Sequence, residues 1–296
     1  MSVTREEISS QPQMWRQVVD LLPTQSGMLP APGERAAIIG CGTSYFIAQA
    51  VAAAREAGGH GETDAFVASE MPVGRAYDVV LAISRSGTTT EVIRCLGTLP
   101  AGVRSVAISA VPGTPVPERT AAAILLPFAD ETSIVQTRFA TTALALLRAH
   151  VGHDLAPAIA GAESVLGQPL PADPPEFEHF VFLGHGWTVG LASEAALKFR
   201  EASQAWAEAY PAMEFRHGPI SVAGPGTLVW FLGDADADLV RDIRATGASV
   251  VARSVDPMAE LVALQLGAVA LAQAKGLDPD NPQHLTRSVV LADADR

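Results

Sequence analysis

The segment Ala36–Gly59, "AAIIGCGTSYFIAQAVAAAREAGG", is a short apolar run, a Gly-x-Gly turn and an Ala-rich helical stretch. His179–Ser203, "HFVFLGHGWTVGLASEAALKFREAS", has the same grammar, and Gly40 and Gly42 are answered by Gly184 and Gly186, 144 residues later. A brief apolar run closed by Gly-x-Gly predicts a strand buried on both faces that hands over to a helix. A repeat this long predicts two α/β domains of one design. The runs "YDVVLAIS", "SVAISA", "AAAILLPF", "TLVWFLG" and "ASVVARS" supply further strands. Helical stretches separate them, so parallel sheets with right-handed crossovers are expected.

The expected layout is a helical segment over 1–27, with an amphipathic helix over 5–22, then a domain over 28–166. The Pro- and acid-rich stretch "GQPLPADPPEFE" is a linker over 167–178, and a second domain covers 179–296, with the helix "AELVALQLGAVALAQAKGL" near its end. The net charge of −12 and a pI near 5.0 argue against a nucleic-acid surface. Any bound phosphate must therefore be held by dipoles and neutral donors. Cys41 and Cys95 lie in no ligand pattern, which reads as a reducing compartment without structural zinc. The polar, acidic N-terminus is no signal peptide, and no apolar run approaches the roughly 20 residues that span a bilayer. A cytoplasmic protein without metal, cofactor or membrane contact is expected.

"ISRSGTTTE" follows one of the apolar runs and opens a helix. Unpaired N–H groups at a helix start attract an anion, and small residues let it approach. Ser84, Ser86 and Thr89 can donate hydroxyl protons around Gly87 without adding net charge. The competing reading is a Thr88-x-x-Glu91 capping box with ordinary turn chemistry. The loop "GCGTSY" adds Thr43 and Ser44 beside a second helix start, whereas the equivalents in the second half, "GHGWTV" and "FLGDADADL", lack such hydroxyls. One armed half and one unarmed half predict one anion site per chain. Gly-x-Gly followed by Asp64 also invites a dinucleotide reading, but Tyr45 stands where the third glycine would be. The Asp234, Asp236, Asp238 run lacks the rest of a calcium loop and reads as a solvated turn.

In "SEAALKFREAS", Glu194, Lys198 and Glu201 share one helix face at i, i+4 and i+7. They are either a surface salt-bridge ladder or a functional cluster. "AEAYPAMEFRHGP" places Glu208, Tyr210, Glu214, Arg216 and His217 in a turn-like segment, and a loop His beside Gly-Pro suits acid/base work or a structural role.

"CGTS", "SRSGTTTE", "EAALKFREAS", "AEAYPAMEFRHGP" and "HLTRSVVL" stand in the order found in the sugar isomerase (SIS) family. Taken together, the chain resembles the isomerase half of glucosamine-6-phosphate synthases and the related amino-sugar-phosphate deaminase/isomerases, with "EFRHGP" closer to the latter. The resemblance implies two tandem SIS domains, each a three-layer α/β/α, flavodoxin-like unit. It implies that Ser84, Ser86 and Thr89, with Ser44, Thr43 and Gly87 nearby, hold a sugar phosphate. Glu201 would move a proton between C1 and C2, Lys198 would contact the open-chain sugar, and His217 would assist ring opening. His217 would do so in a neighbouring subunit's site, since the family builds its sites at a dimer interface. Departures from the synthases are Arg85 for Gln, Thr88 for Glu, Gln136 for Ser and Arg287 for the C-terminal Lys. No N-terminal cysteine or glutaminase domain is present in the chain read here. The expected function is aldose–ketose isomerisation of a phosphosugar by a homodimer, with ammonia released from an amino-sugar 6-phosphate. The alternatives are a non-catalytic sugar-phosphate-sensing regulator, or a deglycase of fructosyl-amino-acid 6-phosphates.

Overall fold

The computed structural model describes residues 2–72 and 74–291, so the end of the expected second domain lies outside the described residues. Two parallel sheets form the frame. The first holds β1 (Ala36–Gly40), β2 (Thr63–Val67), β3 (Val79–Ile83), β4 (Arg104–Ser109) and β5 (Ala122–Leu125), in the order β2-β1-β3-β4-β5. The second holds β6 (His179–Gly184), β7 (Trp206–Pro211), β8 (Thr227–Leu232) and β9 (Ser249–Val251), in the order β7-β6-β8-β9. Every residue of β1, β3, β6 and β8 is buried, which is why these runs carry no polar alternation: helices cover both faces.

The chain divides into two compact units. Among the described residues, one comprises 13–132, 136–155 and 286–291; the other comprises 2–12, 133–135 and 156–285. The cut differs from the expected domains at both ends. Helix Ala156–Leu166 packs against helix Pro257–Ala274 in the second sheet's unit, and the C-terminal segment belongs with the first sheet.

The paired glycines have paired jobs. A Cβ on Gly40 would lie 2.6 Å from the Ser44 carbonyl carbon, and one on Gly184 would lie 2.4 Å from the Thr188 carbonyl oxygen. Gly42 and Gly186 both turn with positive φ, +54° and +56°. Each strand thus passes directly under the helix it feeds, at a distance only glycine permits. Gly40→Ala is expected to cost about 1–3 kcal/mol, as overpacking does, read as a lower denaturation midpoint in urea.

Several local expectations are corrected. The opening helix over 5–22 is two helices, Val3–Ser9 and Gln11–Gln25, separated at Ser10. Pro12 has no N–H for the Ile8 carbonyl, and the Gln11 side-chain amide donates to it instead at 3.0 Å. "WAEAYP" is not turn-like; it is β7, paired in parallel with β6, and only Ala212–His217 after it is 3₁₀. Its edge position explains its polarity: Trp206 is exposed and stacks on His179 at 4.3 Å, and Glu208 accepts from that imidazole at 3.1 Å. Asp234, Asp236 and Asp238 are exposed as expected, but Asp236 has a structural task as well. It caps helix Ala237–Ala245 by accepting from Leu239 N–H at 2.8 Å, and it pairs with Arg216. Helix Pro257–Ala274 is long and apolar enough to cross a membrane, contrary to the reading of the apolar runs, but 78% of it is buried inside the protein as a core helix.

Candidate functional site

Two polar clusters stand out, one in each unit. In the first sheet the chain runs from β1 outward to β2 on one side and, through β3, to β4 and β5 on the other. The β1/β3 junction is therefore the switch point, where loops diverge and leave a crevice. "GCGTS" leaves β1 and "SRSGTT" leaves β3, so both hydroxyl-rich loops open at that crevice.

Gly87 has φ +67°, and a Cβ there would collide with Thr114 Oγ1. Its carbonyl accepts from Val116 N–H at 2.9 Å. Ser84 is turned inward: it is buried, and its Oγ accepts from Gly87 N–H at 3.2 Å, so it shapes the loop. Ser86, Thr88 and Thr89 remain half-buried at the mouth. The capping box does not form, because the N-cap of helix Thr90–Gly97 is Thr89, whose side chain makes no capping bond. Thr43 and Ser44 begin helix Thr43–Ala57 and are buried.

Arg85 points away from the mouth. Its guanidinium lies 3.7 Å from the Glu131 carboxylate, both side chains being almost fully buried, and it donates to the Arg287 carbonyl at 2.9 Å. Glu131 in turn accepts from Thr137 N–H at 2.6 Å, Thr137 Oγ1 at 2.8 Å and Arg138 N–H at 2.8 Å, closing the start of helix Arg138–His150. Nothing in the sequence marked Glu131, since its partners are mostly main-chain groups. Gln136 beside it is half-buried, and its Oε1 is itself buried with no hydrogen-bond partner among the described residues. Arg287 pairs with Asp130 at 2.5 Å and is half-exposed.

Cys41 sits in the β1 loop, and burial, then the nearby Glu91 carboxylate, push its thiol up to about 11. Burial raises Cys95 as well. Only the thiolate reacts, so native protein at pH 7.5 should alkylate with iodoacetamide about a hundredfold more slowly than free cysteine. A rapidly labelled Cys41 would contradict this geometry.

In the second unit, Glu194, Lys198 and Glu201 do share a face of helix Thr188–Ser203, but it is no surface ladder. Lys198 is buried with its Nζ 3.3 Å from Glu194 Oε1 and 2.6 Å from Glu201 Oε2. Of the three, only Glu201 keeps appreciable exposure, 20% of its side chain. It opens onto a cavity of about 360 Å³ walled by Leu197, Arg200, Gln204, Gln283, His284 and Leu285. His284 was not expected here. It adopts φ +62°, a left-handed conformation costly for a non-glycine residue. A histidine amid "PQHLTRS" was the available signal. His217 does not line this cavity. It is exposed at the end of a 3₁₀ turn, and its ring has no hydrogen bond among the described residues. Among the described residues no cluster of side chains suits a metal ion.

The first unit holds a hydroxyl-rich loop at a switch point of its parallel sheet, and the second holds a buried carboxylate–ammonium cluster beside a cavity. Residues 31–150 match the SIS domain. Over 97% of its length the chain is 25% identical to the glutamine–fructose-6-phosphate aminotransferase [isomerizing] of Bacillus subtilis (strain 168), and it is homologous to the isomerase (SIS) domain of that protein. It spans 58% of that relative's length. Among solved structures, glucosamine-6-phosphate deaminase from Thermotoga maritima superposes with a TM-score of 0.83 and 25% identity, covering 98% of this chain and 100% of that one. Tagatose-6-phosphate ketose/aldose isomerase from Escherichia coli shares the fold, with a TM-score of 0.81 and 19% identity over 100% of this chain and 97% of that one.

Proposed function

We propose that this chain is a cytoplasmic sugar-phosphate isomerase that converts an amino-sugar 6-phosphate to a ketose 6-phosphate with release of ammonia, and that its second unit is a second SIS domain. The observation that carries the reading is the Glu194–Lys198–Glu201 cluster: a half-open carboxylate, held by a buried ammonium, at the wall of a cavity of substrate size. The strand order of the second sheet repeats that of the first, one strand short. Free thiols at Cys41 and Cys95 are in keeping with a reducing compartment.

Glu201 removes the proton from C2 of the open-chain aldehyde, and the electrons flow to give an enolamine. The same carboxylic acid returns the proton to C1, giving a ketimine, and water hydrolyses that to the ketose and ammonia. Lys198 stabilises the carboxylate and the developing oxyanion. Ser86, Thr88, Thr89 and the helix starts beside Thr43 and Ser44 bind the phosphate, while Gln136 bonds a sugar hydroxyl. Arg287, tied to Asp130, acts as a fixed donor and not as a mobile ammonium. His217 opens the ring. The same stretch of chain exposes Met213 and Val222, apolar side chains that a second copy of the chain would cover, and on this reading the active form is a homodimer.

The test follows ammonia release coupled to ketose 6-phosphate formation from glucosamine 6-phosphate and galactosamine 6-phosphate, and release of free amino acid with aldose 6-phosphate from fructosyl-amino-acid 6-phosphates. Turnover of the first two supports deamination, whereas turnover of the last alone makes the chain a deglycase. Binding without any turnover makes it a sensor.

A further inference from the structure

Residues 286–291 belong to the first sheet's unit, and they return to the phosphate loop. Their main chain is anchored there at alternate residues. The Arg287 carbonyl accepts from Arg85 at 2.9 Å, the Val289 carbonyl from Thr90 N–H at 3.2 Å, and Leu291 N–H donates to Thr90 Oγ1 at 3.0 Å. Between these anchors the Ser288 hydroxyl lies 3.0 Å from Ser86 Oγ and 2.9 Å from Thr88 Oγ1, which are themselves 3.1 Å apart. Three hydroxyls thus close a triangle at the mouth of the loop. Each carries one proton, and each turns about its own Cβ–Oγ bond without moving the main chain. The triangle contains no carboxylate, and in a chain of net charge −12 neutral donors are what an anion site must use.

We propose that Ser288 is a third hydroxyl ligand of the phosphate site. On arrival of a phosphate monoester, the three protons swing from one another to its oxygens, and the C-terminal segment becomes one wall of the binding site. The inference rests on the reading of "SRSGTT" as the phosphate loop and adds to it a residue about 200 positions away. It also accounts for the anchoring, since a hydroxyl carried on a free tail would have to be ordered on binding, at an entropic cost that the three main-chain bonds have already met.

Calorimetric titration with sorbitol 6-phosphate, an open-chain phosphate monoester with no carbonyl to react, tests it on wild type, Ser288→Ala, Ser288→Thr and Ser86→Ala. Loss of one hydrogen bond to a charged group should weaken Ser288→Ala about tenfold or more, while Ser288→Thr stays near wild type. If Ser288→Ala binds as tightly as wild type, or more tightly, while Ser86→Ala is weakened, the segment merely covers the loop or competes for it, and the inference is overturned with the loop reading intact. If neither alanine variant is weakened, or wild type does not bind, the loop reading and the inference fall together.

Discussion

Glu201→Gln is expected to reduce turnover of the preferred amino-sugar 6-phosphate by about 10²–10⁴-fold, the usual contribution of a positioned general base. Sorbitol 6-phosphate should still bind it. The amide is isosteric and can still accept from the Lys198 ammonium, now 2.6 Å from the carboxylate, so the local packing persists while the proton acceptor is gone. Solvent-proton exchange at C2, followed by NMR in deuterated buffer, gives the sharper readout because it reports the abstraction step alone. Exchange that survives in Glu201→Gln would remove Glu201 from that step. The candidate to examine next would be His284, which shares the cavity wall.

The second large effect is on stability. Glu131→Ala is expected to destabilise the protein by about 3–5 kcal/mol, the range for stripping one partner from a buried ion pair. The carboxylate serves two masters: it faces the Arg85 guanidinium, and it takes four donors at the start of helix Arg138–His150. Its loss leaves a guanidinium without that counter-charge and a helix start uncapped. Urea denaturation should show a fall in midpoint with an unchanged slope. A change under 1 kcal/mol would mean that water or another acceptor takes over at both ends.

The frame was legible because parallel strands buried on both faces must be written as unbroken apolar runs, and "AAIIG", "VVLAI", "HFVFLG" and "TLVWFL" are such runs apart from their end residues. The edge strand β7 was not, because one side of it is solvent and its residues answer to that: Trp206, Glu208 and Tyr210 look like a loop when read in line. The shared face of Glu194, Lys198 and Glu201 follows from helical spacing alone. That the face is buried does not, since desolvation depends on what packs over it, and the same spacing serves a wet ladder equally well. Glu131 and Ser288 escaped for a third reason. Glu131 works with nearby main-chain N–H groups, which leave no mark on residue type, and Ser288 with a loop 202 residues earlier, to which the chain returns.

That return has a consequence for biosynthesis. The loop at residues 84–90 is made early, yet Arg287, Ser288 and Val289 that bond to it come some 200 residues later. At about 5–20 residues per second, the ribosome needs roughly 10–40 s to deliver them. During that interval the first sheet can form while its hydroxyl loop stands open. A chain cut short after Leu285 would therefore keep every described strand and still leave the ribosome with that loop unfinished.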